Sequence, residues 1–115
     1  MNPNKENKFV ISFGEIAQEA HKTALSKGWW EKGREDGTVI ALMHSELSEA
    51  LEALRHGNPP DDKIPEFSGA EAELADVIIR IMDLAAYKGW AVGAAVIEKM
   101  RMNQTREHRH GGKRF

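Results

Sequence analysis

The stretch from Gly69 to Lys88 limits what this chain can become more than any other. Val77, Ile78, Ile79, Ile81, Met82, Leu84, Ala85, Ala86 and Tyr87 spread around most of a helix's circumference. At about 100° per residue, the polar residues Glu73, Asp76, Arg80 and Asp83 collect within about 80°. A helix that is apolar nearly all round must be buried on most of its sides. Four helices from one chain cannot easily enclose it, so a homodimer or larger assembly is expected to cover what the protomer leaves open. The narrow acidic stripe then lines an interior cleft, and carboxylates withdrawn from water need something cationic opposite them.

That stripe has a counterpart upstream. Glu46-Leu47-Ser48-Glu49 and Glu73-Leu74-Ala75-Asp76 are two carboxylate pairs at i,i+3 with 23 residues between them. Three residues advance a helix by about 300°, so the members of each pair share one face. If the two helices pack antiparallel, four carboxylates converge, and such a cluster repels itself unless cations fill it. Hard oxygen ligands suit Mg²⁺, with Mn²⁺ as a substitute, and these ions commonly arrive bridging phosphate groups. Either pair alone is ordinary on a solvated helix. The repeated spacing and the apolar setting of Glu73 and Asp76 favour metal binding over that simpler reading. Glu52 drifts around its helix and is expected to be solvated, Glu71 to serve a helix cap, and Asp83 to join Arg80 in an ion pair. A di-iron site in a helical bundle needs Glu-x-x-His on its metal helices. No such spacing occurs, and His21, His44, His56, His108 and His110 are scattered or lie in the tail.

The chain has 115 residues, the size of one domain spanning 1–115. Ser12-Phe13-Gly14-Glu15 has the form of a capping box and predicts a helix over about 12–27, stopped by Gly28. A second helix is expected over about 38–55, closed by Gly57, before a Pro-containing loop over 58–65. Ser68-Gly69-Ala70-Glu71 is another capping box, opening a third helix over 69–88 with Gly89 beyond it. A fourth follows over about 90–106, and residues 108–115 form an irregular basic tail. No strand is expected. The fold class is therefore all-α, a four-helix bundle protomer assembling through helix packing between subunits.

Apolar residues make up 41% and charged residues 30%, which places the chain among ordinary globular proteins. The absence of cysteine excludes disulfides, thiolate metal sites and cysteine nucleophiles. The N-terminus is polar, and no apolar run approaches the roughly 20 residues that span a membrane, so a cytoplasmic location is expected. The net charge of −2 hides an asymmetry: residues 96–115 carry +4 and the remainder −6. An acidic body with a basic end suits metals on one side and phosphates on the other, although a solvated tail would look the same.

Lys99, Asn103 and Arg106 recur at i, i+4 and i+7 on the expected fourth helix, where they can meet a polyphosphate or simply complement the helix dipole. Trp29 and Trp30 can stack on a base or pack in the core, and Arg55 is a weaker phosphate-binding candidate. Gly111-Gly112-Lys113 lacks the strand and spacing of a phosphate loop, and no Ser-His-Asp arrangement is present. Nucleic acid is not the expected partner, because the chain is acidic overall and the tail has no interleaved aromatics.

Glu46/Glu49, then Glu73/Asp76, then Lys99, Asn103 and Arg106 together resemble the signature of the MazG-like all-α nucleoside triphosphate pyrophosphohydrolases. The likeness runs from about Ser12 to Arg106 and includes the text from Leu42 to Arg55; the closing His110 to Phe115 resembles the tail of one small bacterial and phage branch. The resemblance implies Mg²⁺-dependent cleavage of a (deoxy)nucleoside triphosphate to the monophosphate and pyrophosphate, in control of nucleotide pools. It implies metal ligation by Glu46, Glu49, Glu73 and Asp76, with Glu49 activating the water. Lys99, Asn103 and Arg106 would hold the phosphates, Trp29 and Trp30 the base, and the active site would form in a homodimer or homotetramer. The competing reading is a non-catalytic helical oligomer that binds a nucleotide or a protein through the same acidic cleft.

Overall fold

The computed structural model describes residues 1–106; the expected basic tail, 108–115, with His108 and His110, lies outside them. Four helices follow one another: α1 Pro3–Ser26, α2 Asp36–Arg55, α3 Gly69–Lys88 and α4 Val92–Gln104. Among the described residues no strand forms; a single bridge pairs Pro60 with Ser68. The all-helical expectation is met.

α3 is the central element, packed against both α1 and α2, while α4 packs chiefly on α1. Its ends lie where local chemistry puts them. The Ser68 side chain accepts from the Glu71 amide and the Glu71 carboxylate accepts from the Ser68 amide, which closes a capping box. At the other end Gly89 adopts φ 69°, a left-handed conformation that favours glycine. The loop before α3 is pinned back on the helix: Asn58 Oδ1 accepts from the Ala70 amide at 2.9 Å, and Pro59 O accepts from Gly69 N at 2.8 Å.

α1 differs from expectation. It begins at Pro3 rather than near Ser12, with Asn2 as its N-cap accepting from Lys5 N at 2.8 Å. Proline at the first helical position loses no hydrogen bond, so Asn2-Pro3 is a better start than Ser12, which sits mid-helix. α2 starts at Asp36, two residues early. α4 starts at Val92 and ends at Gln104, so Arg106 falls beyond the helix and off the face it was expected to share with Lys99 and Asn103.

The core is thin. Ala24, Trp30, Val39, Met43 and Leu84 form it, with Ile81 packed alongside. Apolar side chains are left outward in ordered rows: Leu47, Leu51 and Leu54 on α2 are 45–57% exposed, and Leu74 and Ile78 on α3 about half. The outer side of α3 is thus not covered by the protomer's own helices.

Candidate metal centre

α2 and α3 carry the acidic pairs, and their packing brings the two sets together. One carboxylate oxygen from each of Glu46, Glu49 and Glu73 lies within 4.8 Å of the others, a group able to hold a metal ion. Glu46 and Glu73 are half-buried, while Glu49 is exposed. Glu73 Oε2 is buried and has no hydrogen-bond partner. A buried carboxylate oxygen without a donor is costly, and a cation is the simplest remedy.

The electrostatics follow from this crowding. Burial, and then the neighbouring Glu46 and Glu49 carboxyls, push Glu73 from 4.5 up to about 8. Burial also pushes Glu46 upward, but hydrogen bonding with Glu73 and the Arg80 guanidinium outweigh it and hold Glu46 below the usual range. The set is short of positive charge, and the protonated Glu73 makes up part of the deficit.

Asp76 stands outside the triad. It is exposed and lines an adjoining cleft of about 230 Å³ with Trp29, Glu46, Ile79 and Arg80. Its carboxyl is raised by partial desolvation and then by the Glu46 charge, with Arg80 pulling the other way. Arg80 joins the site although it is not among the residues expected there. Its Nε and Nη2 both donate to Glu46 Oε1, at 3.1 and 3.0 Å, and its guanidinium lies 5.9 Å from the Trp29 ring centre. The signal was present: Arg80 lies four residues past Asp76, on the acidic stripe.

Asp83 does not pair with Arg80. It is buried at 5% exposure, paired with His21 Nδ1 at 2.7 Å, and accepts from Trp30 Nε1 at 3.0 and 3.1 Å. One turn beyond Arg80, it looks towards α1 and the Trp30 segment instead of α2. The same network takes Trp30 into the core, where it stacks on Tyr87 at 4.0 Å between ring centres. Of the two tryptophans only Trp29, 40% exposed, faces the acidic cleft.

Lys99, Asn103 and Arg106 are exposed and do not line that cleft. Arg106 Nη1 donates weakly to Asn103 Oδ1, at 3.4 Å. Glu52 and Glu71 are engaged elsewhere, Glu52 with His56 and Arg55 and Glu71 in its cap, and Arg55 is thereby occupied. No helix among the described residues is long and apolar enough to cross a membrane. No protein-family model, curated protein or solved structure matches the chain.

Proposed function

We propose that this protein is a Mg²⁺-dependent nucleoside triphosphate pyrophosphohydrolase acting in the cytoplasm on surplus or unwanted nucleotides. The observation that carries the reading is the convergence of Glu46, Glu49 and Glu73 around an orphaned buried oxygen. The donor set fits the ion. Octahedral Mg²⁺ holds oxygens at about 2.1 Å, so its ligands stand roughly 3–4.2 Å apart, and a triad within 4.8 Å needs only slight closure to meet that spacing. A divalent ion held here supplies counter-charge to a phosphate chain and an acidified water.

The remaining roles belong to the protein's own side chains. Glu46 and Glu73 would form the inner part of the ligand set, and Asp76 would join it from the adjoining cleft. Glu49, the most open of the triad, is placed to orient the attacking water or take its proton. In-line attack at the α-phosphorus then releases pyrophosphate. Trp29 offers an exposed indole face to the base.

The protein acts as a homo-oligomer in this reading. The rows of exposed leucine and isoleucine on α2 and α3 are the kind of apolar face that a second copy would cover. Lys99, Asn103 and Arg106 do not line the cleft of their own protomer, so in this reading a second copy would supply them.

Incubation with a panel of ribo- and deoxynucleoside triphosphates and Mg²⁺, with pyrophosphate as the measured product, tests the proposal and reports base choice together. Pyrophosphate release from at least one triphosphate, abolished by EDTA, is expected. No release from any of them, with nucleotide binding retained, supports a non-catalytic binding protein instead.

A further inference from the structure

Glu46 has two claims on it. It is one of the three carboxylates of the metal triad, and it also accepts both hydrogen bonds that Arg80 makes, at 3.1 and 3.0 Å. The pair is half-sheltered, with the Arg80 side chain 24% and that of Glu46 13% exposed. A guanidinium normally opposes a carboxylate with two parallel bonds to two oxygens. Here Nε and Nη2 share the single oxygen Oε1, so Glu46 Oε2 takes no bond from the guanidinium, and the other N–H donors of Arg80 make no hydrogen bond among the described residues. Its face lies over the Trp29 ring at 5.9 Å, and the side chain forms one wall of the cleft that Trp29, Glu46, Asp76 and Ile79 complete.

We propose that Arg80 is a phosphate-binding residue held in reserve: it serves as counter-ion to Glu46 until a divalent cation takes over that carboxylate, and then turns to the substrate's phosphate chain. The inference rests on the metal reading of the triad. A cation held by Glu46 neutralises the charge that retains the guanidinium and repels it directly. Arg80 therefore leaves Oε1 when the metal site fills, and the flat Trp29 ring gives it a surface to pivot on. The acidic triad and Asp76 repel a polyanion, so a cation on the same wall is needed beside the metal. Arginine supplies it with a planar fork of donors suited to phosphate oxygens.

This arrangement has opposite consequences for the two ligands. Removing the guanidinium removes a competitor for Glu46, so metal binds more tightly. It also removes a phosphate ligand, so the polyphosphate binds more weakly. An arginine that only joined α2 to α3 would move both affinities in the same direction.

The test compares the full chain with Arg80→Gln and Arg80→Lys. Calorimetry measures Mn²⁺ binding alone, then binding of the Mn²⁺–pyrophosphate complex at saturating Mn²⁺. For Arg80→Gln, Mn²⁺ affinity should rise by about fivefold and pyrophosphate affinity should fall by about tenfold. Arg80→Lys, which keeps the charge but not the fork, should hold Mn²⁺ affinity within about twofold and lose about threefold for pyrophosphate. Equal or weaker Mn²⁺ binding by folded Arg80→Gln, or unchanged pyrophosphate binding, overturns the role of Arg80 while leaving the metal site standing. If Arg80→Gln does not fold, unchanged pyrophosphate affinity in Arg80→Lys overturns it. Failure of the parent protein to bind Mn²⁺ removes the metal reading and this one with it.

Discussion

Glu73→Gln isolates the group that the metal-free fold accommodates worst. Burial beside Glu46 and Glu49 raises its carboxyl from 4.5 to about 8. The unfolded chain releases that proton near 4.5, so between 4.5 and about 8 the folded state holds a proton the unfolded state lacks. Stability in EDTA must therefore fall as pH rises through that window and level off above it, with a limiting slope of about 1.4 kcal/mol per pH unit. From pH 5 to 8 one whole proton would amount to about 4 kcal/mol, and because the cleft opens to water on one side about half of that survives screening. At about 4 °C per kcal/mol for a chain of 115 residues, Tm drops by about 8 °C. The amide of glutamine carries no charge, so this contribution to the slope vanishes in Glu73→Gln and the metal-free variant is the more stable of the two at pH 8.

If the triad holds Mg²⁺ as proposed, the order reverses. At about 100 times its Kd, an ion bound only by the folded state adds about 2.7 kcal/mol, or roughly 11 °C at the same conversion. That gain belongs to the parent and is largely absent from a variant with one carboxylate fewer. Below pH 8 the ion must displace the Glu73 proton, so its effect on the parent also strengthens with rising pH. Thermal melts of both proteins from about pH 5 to 8.5, in EDTA and in excess Mg²⁺, check this. A flat profile for the parent, or an identical slope and an identical Mg²⁺ response in the variant, refutes the account of a carboxylate cluster awaiting a cation.

Three further outcomes follow from the same geometry. Glu49→Gln and Asp76→Asn are each expected to lower pyrophosphate release by at least about 100-fold while circular dichroism stays unchanged, because both act on charge in the transition state; full activity in both removes the proposed mechanism. Asp83→Ala leaves the Trp30 indole N–H and His21 without their shared acceptor, a loss of about 2–3 kcal/mol, seen as a Tm lower by about 8–12 °C. An Asp83→Ala protein as stable as the parent shows the network to be incidental. Leu51→Glu or Ile78→Glu places charge in the exposed apolar rows of α2 and α3, and sedimentation should report an oligomer for the parent and a monomer for the variant.

How much of this was legible in the chain depends on the range of the forces involved. α3 was bounded correctly at Gly69 and Lys88 because its signals, the Ser68–Glu71 cap and Gly89, act within four residues. α1 departs from expectation because two caps of equal range compete, Asn2 with Lys5 and Ser12 with Glu15, and the Asn2-Pro3 start wins. The i,i+3 acids shared a face by helical geometry alone, and that any two of them would meet across helices was only an expectation.

Tertiary packing decided which side chains became partners. Glu46 with Arg80 spans 34 positions, Trp30 with Asp83 53, and His21 with Asp83 62. Nothing in the local pattern separates Asp83 from Asp76; the position of α1 against α3 withdraws one into the core and leaves the other beside the cleft. The sequence by itself determined that four helices form, where α3 begins and ends, and which residues of α2 and α3 share a face. Only the folded arrangement chose Glu46, Glu49 and Glu73 as a triad and turned Arg80 towards it, since a rotation of one helix by a single residue, about 100°, exchanges every such contact.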